Sequence, residues 1–313
     1  FKQKTAYEIY QCDWSSDVCS SDLLDAAALF AFIGAIWGVP YLFMKVAVTE
    51  LSTPVIVFAR LTIGASLLIP LAIFNGSLKG AFKYWKYIAL YAILEMAGPW
   101  YLITSAQRDL SSGVVALLVA TVPIWATLFA HHTGDSTAAH RIRIFGITIG
   151  LIGIALLVGV ESVKDIDNFF ALSKVLLASV SYAWAVNMVS RKVPNVSGVA
   201  INGMAMCMAS LIYLPLAITH WPDKVPSAKA LYSTLGLGII CTALAFWVFF
   251  IVLNEIGPAR ASLVVYPNTA VAVVLGIFVL NEPITLAISI GLPMVLIGSY
   301  FASRKPENAP IAP

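Results

Sequence analysis

The chain has 313 residues, of which 60% are hydrophobic and 11% are charged, and its mean hydropathy is +0.88. Soluble globular domains carry about twice that share of charged residues. The composition therefore excludes an ordinary soluble domain and predicts an integral membrane protein. The formal net charge of +3 is small, so it does not point to nucleic acid as a partner.

The first 22 residues differ from the rest, because they are polar and hold no apolar run long enough for a signal peptide. We expect residues 1–22 to be a non-native, poorly ordered head. Cys12 and Cys19 fall in this head, whereas Cys207 and Cys241 fall in apolar runs. The cysteines form no CxxC pair, so neither a zinc ribbon nor a redox pair is predicted.

Ten apolar runs follow the head, and most are long enough to span the bilayer core as a helix. They are 26–47, 54–74, 84–104, 113–131, 144–160, 170–189, 198–218, 232–254, 259–280 and 284–302. The connections between them are mostly short and carry Gly, Pro, Ser, Asn or charged residues. The pattern predicts an all-α integral membrane protein with ten transmembrane helices, in which sequential helices are antiparallel neighbours.

A chain with ten spans has both termini on one side of the membrane. Lysine and arginine are more numerous in the loops on that side than in the loops on the other side. The positive-inside rule therefore predicts cytoplasmic termini. We expect a multi-pass protein of the cytoplasmic (inner) membrane, with residues 305–313 as a cytoplasmic tail.

The second half of the sequence repeats features of the first half at a nearly constant distance. Trp37 and Trp184 lie 147 residues apart, as do Trp100 and Trp247. Further matches at offsets of 145 or 147 are Lys45 with Lys192, 134–135 with 281–282, 70–73 with 215–218, and 151–153 with 296–298. Matches in the same order, at offsets that differ by only two residues, indicate an internal repeat.

The two repeats, residues 23–160 and 161–304, contain five predicted spans each. Because five is an odd number, the second repeat enters the membrane from the opposite side. Inverted repeats of this kind are typical of secondary transporters, in which the substrate site lies near the midplane between the halves. The sequence therefore predicts a transporter built from two inverted five-helix repeats.

Several short motifs resemble those of the EamA family, a ten-span branch of the drug/metabolite transporter superfamily. They are Trp37-Gly38 with Lys45, Arg60, 111–113 (Ser-Ser-Gly), 257–262 (Gly-Pro-Ala-Arg-Ala-Ser) and 281–283 (Asn-Glu-Pro). The resemblance covers residues 23–304 and implies the export of amino acids or other small metabolites. Pro267 departs from the family pattern, which places its proline a few residues later.

Glu95 is the only carboxylate deep inside any of the ten runs. Pro99 has no N–H and leaves the Glu95 carbonyl without its helical partner, and lipid cannot replace that partner. Glu95 lies either beside the translocation pathway, where it would exchange protons or meet a substrate amino group, or in a packed site as a neutral, hydrogen-bonded group. Its counterpart in the second repeat is Thr242.

Other candidates for the substrate pathway are aromatic and amide side chains within or near the spans. They are Trp37, Tyr41, Trp100, Trp184, Trp247, Tyr266, Asn187 and Asn268. The alternative for the aromatic residues is an interfacial belt, and the alternative for the amides is hydrogen bonding between helices. The candidate hinges, or alternatively static bends, are Pro40, Pro99, Pro123 and Pro267.

Three further features have two interpretations each. Arg60 lies inside its span and either snorkels outward or guards the outer mouth of a pathway. Gly146 and Gly150 form a GxxxG motif that serves either a homodimer or internal close packing. One loop holds residues of metal-ligating type whose spacing fits no known metal motif, namely His131, His132, Asp135 and His140.

The leading hypothesis is a secondary transporter that exports a small metabolite, such as an amino acid, by alternating access, with or without proton coupling. No phosphate-binding loop is present, so no nucleotide or other cofactor is expected. The first alternative is an intramembrane enzyme that uses Glu95 as general acid or base, although no intramembrane His or Asp is available as a second group. The second alternative is uptake rather than export.

Overall fold

The computed structural model of the chain describes residues 17–132, 140–162, 166–256 and 264–303. Within these residues every regular element is helical. The α-helices are α1 (Asp17–Ala47), α2 (Thr53–Phe74), α3 (Leu78–Phe82), α4 (Trp85–Tyr91), α5 (Gly98–Ala106), α6 (Ser112–Val119), α7 (Val122–His132), α8 (Arg141–Ser162), α9 (Ile166–Lys192), α10 (Gly198–Thr219), α11 (Ala228–Gly238), α12 (Ala245–Ile256), α13 (Val265–Leu280) and α14 (Leu286–Ser303).

Six helical stretches of the described chain are long and apolar enough to cross a membrane. They are Thr53–Phe74, Trp85–Ala106, Ser112–Phe129, Asp167–Lys192, Gly198–Thr219 and Ala228–Val252. Shorter apolar helices occupy Ala31–Ala47, Val265–Leu280 and Ile288–Ala302. Each of these stretches overlaps one predicted run, and the remaining run lies within α8. The all-helical class is confirmed for the described residues, whereas the count of ten spans and their inverted arrangement stay predictions.

The start of α1 differs from the predicted boundary. The helix begins at Asp17, so residues 17–22 of the predicted head are helical. The other residues of that head, 1–16, and the predicted tail, 305–313, lie outside the described residues.

Two of the spanning stretches widen to π-helical geometry midway, at matching places of the repeat. Segment π1 (Ala92–Ala97) joins α4 to α5, and segment π2 (Ile239–Leu244) joins α11 to α12. They lie 147 residues apart, which is the offset of the tryptophan pairs. Single π-helical turns inside α-helices occur frequently at functional sites.

The two π segments arise from different local chemistry. In the first, Pro99 cannot donate to the Glu95 carbonyl, and the N–H of Gly98 bonds to the carbonyl of Ile93, five residues back. In the second, the hydroxyl of Thr242 donates to the carbonyl of Leu237 at 2.7 Å. Both arrangements keep carbonyl groups bonded where lipid offers no donor.

Helices of one repeat pack directly against their counterparts in the other, α2 against α10 and α8 against α14. The second contact is close because Gly146 and Gly150 face Gly298. A Cβ atom on Gly298 would lie 2.6 Å from the Cα of Gly150 and 2.7 Å from the carbonyl oxygen of Gly146. The GxxxG motif is therefore occupied by internal packing, the second of its two interpretations, rather than being open to a second copy.

Large apolar side chains cover the outside of the helix assembly. Leu177, Leu211 and Phe278 are 59%, 63% and 78% exposed, whereas many alanine residues are fully buried between helices. Small residues allow membrane helices to approach closely, and lipid solvates the large apolar side chains outside. This distribution is that of a protein whose solvent is a bilayer.

Candidate substrate cavity

A cavity of about 810 Å³ lies between helices of the two halves. Its walls come from α1, α2, α4, π1, α5, α6, α7 and α8 of the first half and from α9, α10, α12, α13 and α14 of the second half. Seven of the predicted pathway or hinge residues line it: Trp37, Pro40, Tyr41, Glu95, Trp100, Pro123 and Asn268. A volume of this size accommodates a small metabolite.

The other predicted residues do not line the cavity. Trp184 and Trp247 are 51% and 47% exposed on the outside of the assembly. The turn that carries Trp184 presents Ala183 and Val186 to the cavity instead. The remaining residues outside the lining are Asn187, Tyr266, Pro99 and Pro267. The match between Trp37 and Trp184 in sequence therefore does not extend to the direction of their side chains.

Two of these outlying residues take part in packing. Pro267 on α13 lies against Gly34 on α1, where a Cβ atom would come within 2.6 Å of the proline ring. Tyr266 forms an edge-to-face contact with Tyr300, with ring centroids 6.4 Å apart. Both side chains help to join α13 to its neighbours.

Glu95 lies in π1 and lines the cavity. Its Oε2 atom is buried and has no hydrogen-bond partner among the described residues. Nearby, the hydroxyl of Tyr91 donates to Oδ1 of Asn202 at 3.2 Å. The packed, hydrogen-bonded interpretation of Glu95 therefore lacks a partner in the described chain.

Arg60 is the main cavity residue that the site prediction did not include. It lies on α2, lines the cavity, and its Nε donates to the hydroxyl of Thr242 at 2.8 Å. Its Cζ lies 3.8 Å from the ring centroid of Trp100, a cation–π contact. Arg60 thus reaches inward rather than snorkelling outward. The sequence left both directions open, and the position of a cation inside a span was the signal for a functional role.

Glu95 and Arg60 line the same cavity without forming an ion pair with each other. Among the described residues, no carboxylate lies within 4.0 Å of the Arg60 guanidinium group and no cationic side chain lies within 4.0 Å of the Glu95 carboxylate. Tyr182 lies within electrostatic range of both. Arg60 and Glu95 therefore line the same cavity without an ion pair between them, and Arg143 is a second cation in its lining.

The rest of the wall is largely aromatic. The ring centroid of Trp37 lies 4.8 Å from that of Phe249 and 5.7 Å from that of Phe246. Phe250 stacks on Phe246 at 6.3 Å. Such a surface holds an apolar group and leaves orientation to the few polar groups.

The lining residues show where the cavity leads. Several of them lie at the start of α8, α10 and α13 or at the end of α9 and α14, and these helix ends gather at one end of the molecule. They are Arg143, Ser190, Val193, Gly198, Val265 and Ala302. We call this end the open end, a name that refers only to the reach of the described lining residues.

The opposite end, which we call the clasped end, is held by two carboxylates on two helix N-termini. Glu50 accepts the N–H of Ser227 at 2.7 Å and its hydroxyl at 2.6 Å. Glu282 accepts the N–H of Ser112 at 2.8 Å and its hydroxyl at 2.7 Å. Asn281 ends α13 in the left-handed conformation, φ 55°, which asparagine tolerates. Each clasp joins the two halves of the chain.

Lys45 adds a third contact at the clasped end. Its Nζ donates to the carbonyls of Gln107 at 2.7 Å and Leu110 at 2.8 Å. The contact fixes the end of α1 to the connection between α5 and α6.

Hydrogen bonds from Ser227 hold the pKa of the Glu50 carboxyl below its usual range, since they favour the charged form.

The described residues contain no group of three His, Cys, Asp or Glu side chains that could hold a metal ion. Asp135, one member of the loop cluster considered above, lies outside these residues.

The sequence profile of the EamA-like transporter family matches residues 25–159 and again residues 169–304. A Bacillus subtilis (strain 168) protein named Uncharacterized transporter YoaV is 26% identical over 281 residues, which are 86% of this chain and 95% of that protein. An Escherichia coli (strain K12) protein named Uncharacterized inner membrane transporter YedA is 26% identical over 295 residues, which are 91% and 94% of the two chains.

A solved crystal structure has a TM-score of 0.64 to this chain at 16% identity, and covers 89% of this chain and 96% of its own. That likeness concerns the fold alone. The two matches to the profile together span most of the sequence and confirm the resemblance of its motifs. The chain belongs to the EamA-like transporter family of the drug/metabolite transporter superfamily and is a membrane transporter.

Proposed function

We propose that the protein is a secondary transporter that exports a small metabolite, most simply an amino acid or a related amphipathic compound. The observation that carries this proposal is the cavity between the two halves, where Glu95 and Arg60 lie without a mutual ion pair in an aromatic wall. A solute with both polar and apolar parts would satisfy those surfaces. Uptake through the same cavity is the alternative direction.

The proposed mechanism is alternating access between two inverted five-helix repeats. The described cavity reaches the open end, and the two carboxylate clasps hold the opposite end together. If the termini are cytoplasmic, the open end faces the cytoplasm and the state is ready to load an exported solute. Opening the clasped end requires that Glu50 and Glu282 release their serine partners.

We further propose that Glu95 couples this cycle to protons. A carboxyl that lines a cavity accessible from alternate sides can take up a proton on one side and release it on the other. Among the described lining residues there is no histidine and no second carboxylate. The enzyme alternative therefore lacks a second acid–base group beside Glu95.

Reconstituted liposomes test the proposal. We expect efflux of one or more amino acids from liposomes that contain the protein, and we expect a pH gradient to change its rate. Glu95→Gln should abolish the effect of the gradient. Asp223→Asn, which removes an exposed carboxylate outside the cavity, is the matched control and should behave as the wild type does.

Two results would count against the proposal. If no solute moves in either direction, the protein is not a transporter of this class. If Glu95→Gln transports and still follows the pH gradient, Glu95 does not couple protons.

A further inference from the structure

We propose that Arg60 binds a carboxylate of the substrate and that the substrate is a zwitterion whose ammonium group lies toward Glu95. This inference rests on the proposed transport function. It adds the charge pattern of the substrate and a separate role for Arg60 and for Glu95.

The guanidinium group is fixed but not neutralised. Its Nε is engaged by Thr242 and one face covers Trp100, and both contacts leave the positive charge intact. Its two terminal nitrogens make no hydrogen bond to the described residues, and the side chain lines the cavity. A guanidinium group held in this way presents paired N–H donors that match a carboxylate.

The missing counter-ion explains why a carboxylate fits. A cation in a low-dielectric interior is costly unless an anion pairs with it, and no described carboxylate lies within ion-pair distance of Arg60. A carboxylate that enters with the substrate would supply the pairing only while the substrate is bound. A resident partner, by contrast, would have to be displaced at each cycle.

Glu95 supplies the carboxyl group that an ammonium group of the substrate would meet. Its Oε2 atom has no partner among the described residues, and Tyr182 lies within electrostatic range of both Glu95 and Arg60. An ammonium group beside Glu95 and a carboxylate beside Arg60 would satisfy both. The remaining apolar part of the solute would then meet the wall formed by Trp37, Phe249 and Phe250.

Simpler solutes satisfy only part of this site. An amine leaves Arg60 unpaired, and a carboxylic acid leaves Glu95 unpaired. Sites built to bond a polar group discriminate strongly against analogues that lack it. The structure thus assigns selectivity for zwitterions over both singly charged analogues.

Competition in proteoliposomes tests this assignment. The panel contains leucine, phenylalanine and threonine, each with the amine that lacks its carboxylate and the acid that lacks its amino group. Each compound competes with the labelled amino acid that the wild type moves fastest. Protein-free liposomes correct for passive leak of the amines and acids.

For the wild type we expect the best amino acid to compete at least about tenfold better than its amine or its acid, since a hydrogen bond to a charged group is worth about ten- to a hundredfold in affinity. Arg60→Gln should remove the preference over the amine and keep the preference over the acid. Glu95→Gln should keep the preference over the amine and remove the preference over the acid. Arg60→Lys keeps the positive charge but loses the planar pair of N–H donors, so it should retain part of the preference for the amino acid over its amine. Arg108→Gln, outside the cavity, should change neither.

A purely structural role for Arg60 would weaken all competitors equally, so the change in preference is the decisive result. The proposal is overturned if the wild type accepts the amine as well as the amino acid, or if Arg60→Gln keeps the wild-type preference. If Arg60→Gln does not fold, the ranking by the wild type and Arg60→Lys decides. Failure of the wild type to move any solute would contradict the transport function itself, whereas an altered ranking contradicts only the role of Arg60.

Discussion

Glu95 and Thr242 occupy matching positions in the two π-helical segments, yet their side chains do different things. Glu95 lines the cavity without a described partner. Thr242 is buried and holds the Nε of Arg60. The asymmetry gives the cavity an acid in the first π segment and an arginine that is anchored by the second. A site between similar repeats thereby becomes chemically polar.

The first prediction concerns how Arg60 is held. Thr242→Val keeps the side-chain volume but removes the hydroxyl, so Arg60 loses a bond that contributes about 0.5–1.5 kcal/mol. We expect the half-saturating concentration of the transported solute to rise about two- to tenfold, in line with that loss of free energy. Solute efflux from proteoliposomes at varied concentration measures it.

Two further variants isolate the role of the hydroxyl group in this prediction. Thr242→Ser should restore the wild-type value because it returns the hydroxyl. Thr234→Val removes a buried hydroxyl that bonds only to the Ala230 carbonyl, and serves as the matched control. An unchanged concentration dependence in Thr242→Val would show that Thr242 does not position Arg60.

At this scale the sequence supports some predictions and not others. A carboxylate inside an apolar run is costly unless it faces protein or a wet cavity, and for that reason Glu95 could be identified from the sequence. The outward orientation of Trp184 and Trp247 could not be predicted. The two repeats match in sequence, but the rotation of each helix about its axis depends on the helices packed against it. Arg60 had two physically reasonable directions, and only the positions of Trp100 and Thr242 decide between them.

Among the elements, the clasps at one end of the molecule are the contacts that alternating access must break. The carboxylates of Glu50 and Glu282 each bond to the first N–H groups of a helix, where the helix dipole favours negative charge. Both join one half of the chain to the other. They could not be predicted from the sequence, since Glu50 and Ser227 are 177 residues apart and share no motif.

The second prediction concerns the pH dependence of the Glu50 clasp. The pKa of Glu50 is lowered in the folded protein by hydrogen bonds from Ser227. The stabilisation is therefore present in full above the ordinary carboxyl pKa of 4.5, and it is lost as the pH falls through the lower folded value. We expect Glu50→Gln to unfold at a lower temperature than the wild type at pH 7, and the difference to shrink below pH 4.5.

Thermal unfolding in detergent at a series of pH values measures this difference. Asp223→Asn should show no comparable change with pH. A constant gap between the wild type and Glu50→Gln down to the lowest pH would mean that the Glu50 charge does not stabilise the clasp.

The third prediction concerns the glycine contact between α8 and α14. Gly298→Val places side-chain atoms where the backbone of Gly150 lies, so the helices must separate. Overpacking of this kind costs about 1–3 kcal/mol or more. We expect a lower thermal unfolding temperature in detergent, with no new oligomeric form.

Gly80→Ala is the matched control for this prediction, because a Cβ atom there meets nothing within 4 Å. It should be neutral or slightly stabilising. If Gly298→Val unfolds like the wild type, α8 and α14 do not pack through these glycines.

At the scale of the molecule, the described chain consists of two similar halves with a cavity between them, and the carboxylate clasps join those halves at the clasped end. The helices could be predicted from apolar runs because lipid requires every spanning backbone to bond internally. The repeat could be predicted from residue offsets, and the two π segments share its spacing. The shape of the cavity could not be predicted from the sequence, because it depends on which faces of eight or more separate helical segments meet.

The central claim is that a solute passes through this cavity, and a chemical block tests it most directly. Ala126 lines the cavity on α7, whereas Gly80 on the short helix α3 is exposed, and a Cβ atom there would meet nothing within 4 Å. Each is replaced by cysteine in a chain whose native cysteines are replaced by alanine. A charged methanethiosulfonate reagent then modifies the thiol, and mass spectrometry confirms the labelling.

We predict that amino acid efflux by Ala126→Cys is normal before modification and falls close to that of protein-free liposomes after it, while efflux by Gly80→Cys is unaffected. Undiminished efflux through fully labelled Ala126→Cys would contradict the account, because the solute would then cross by another route.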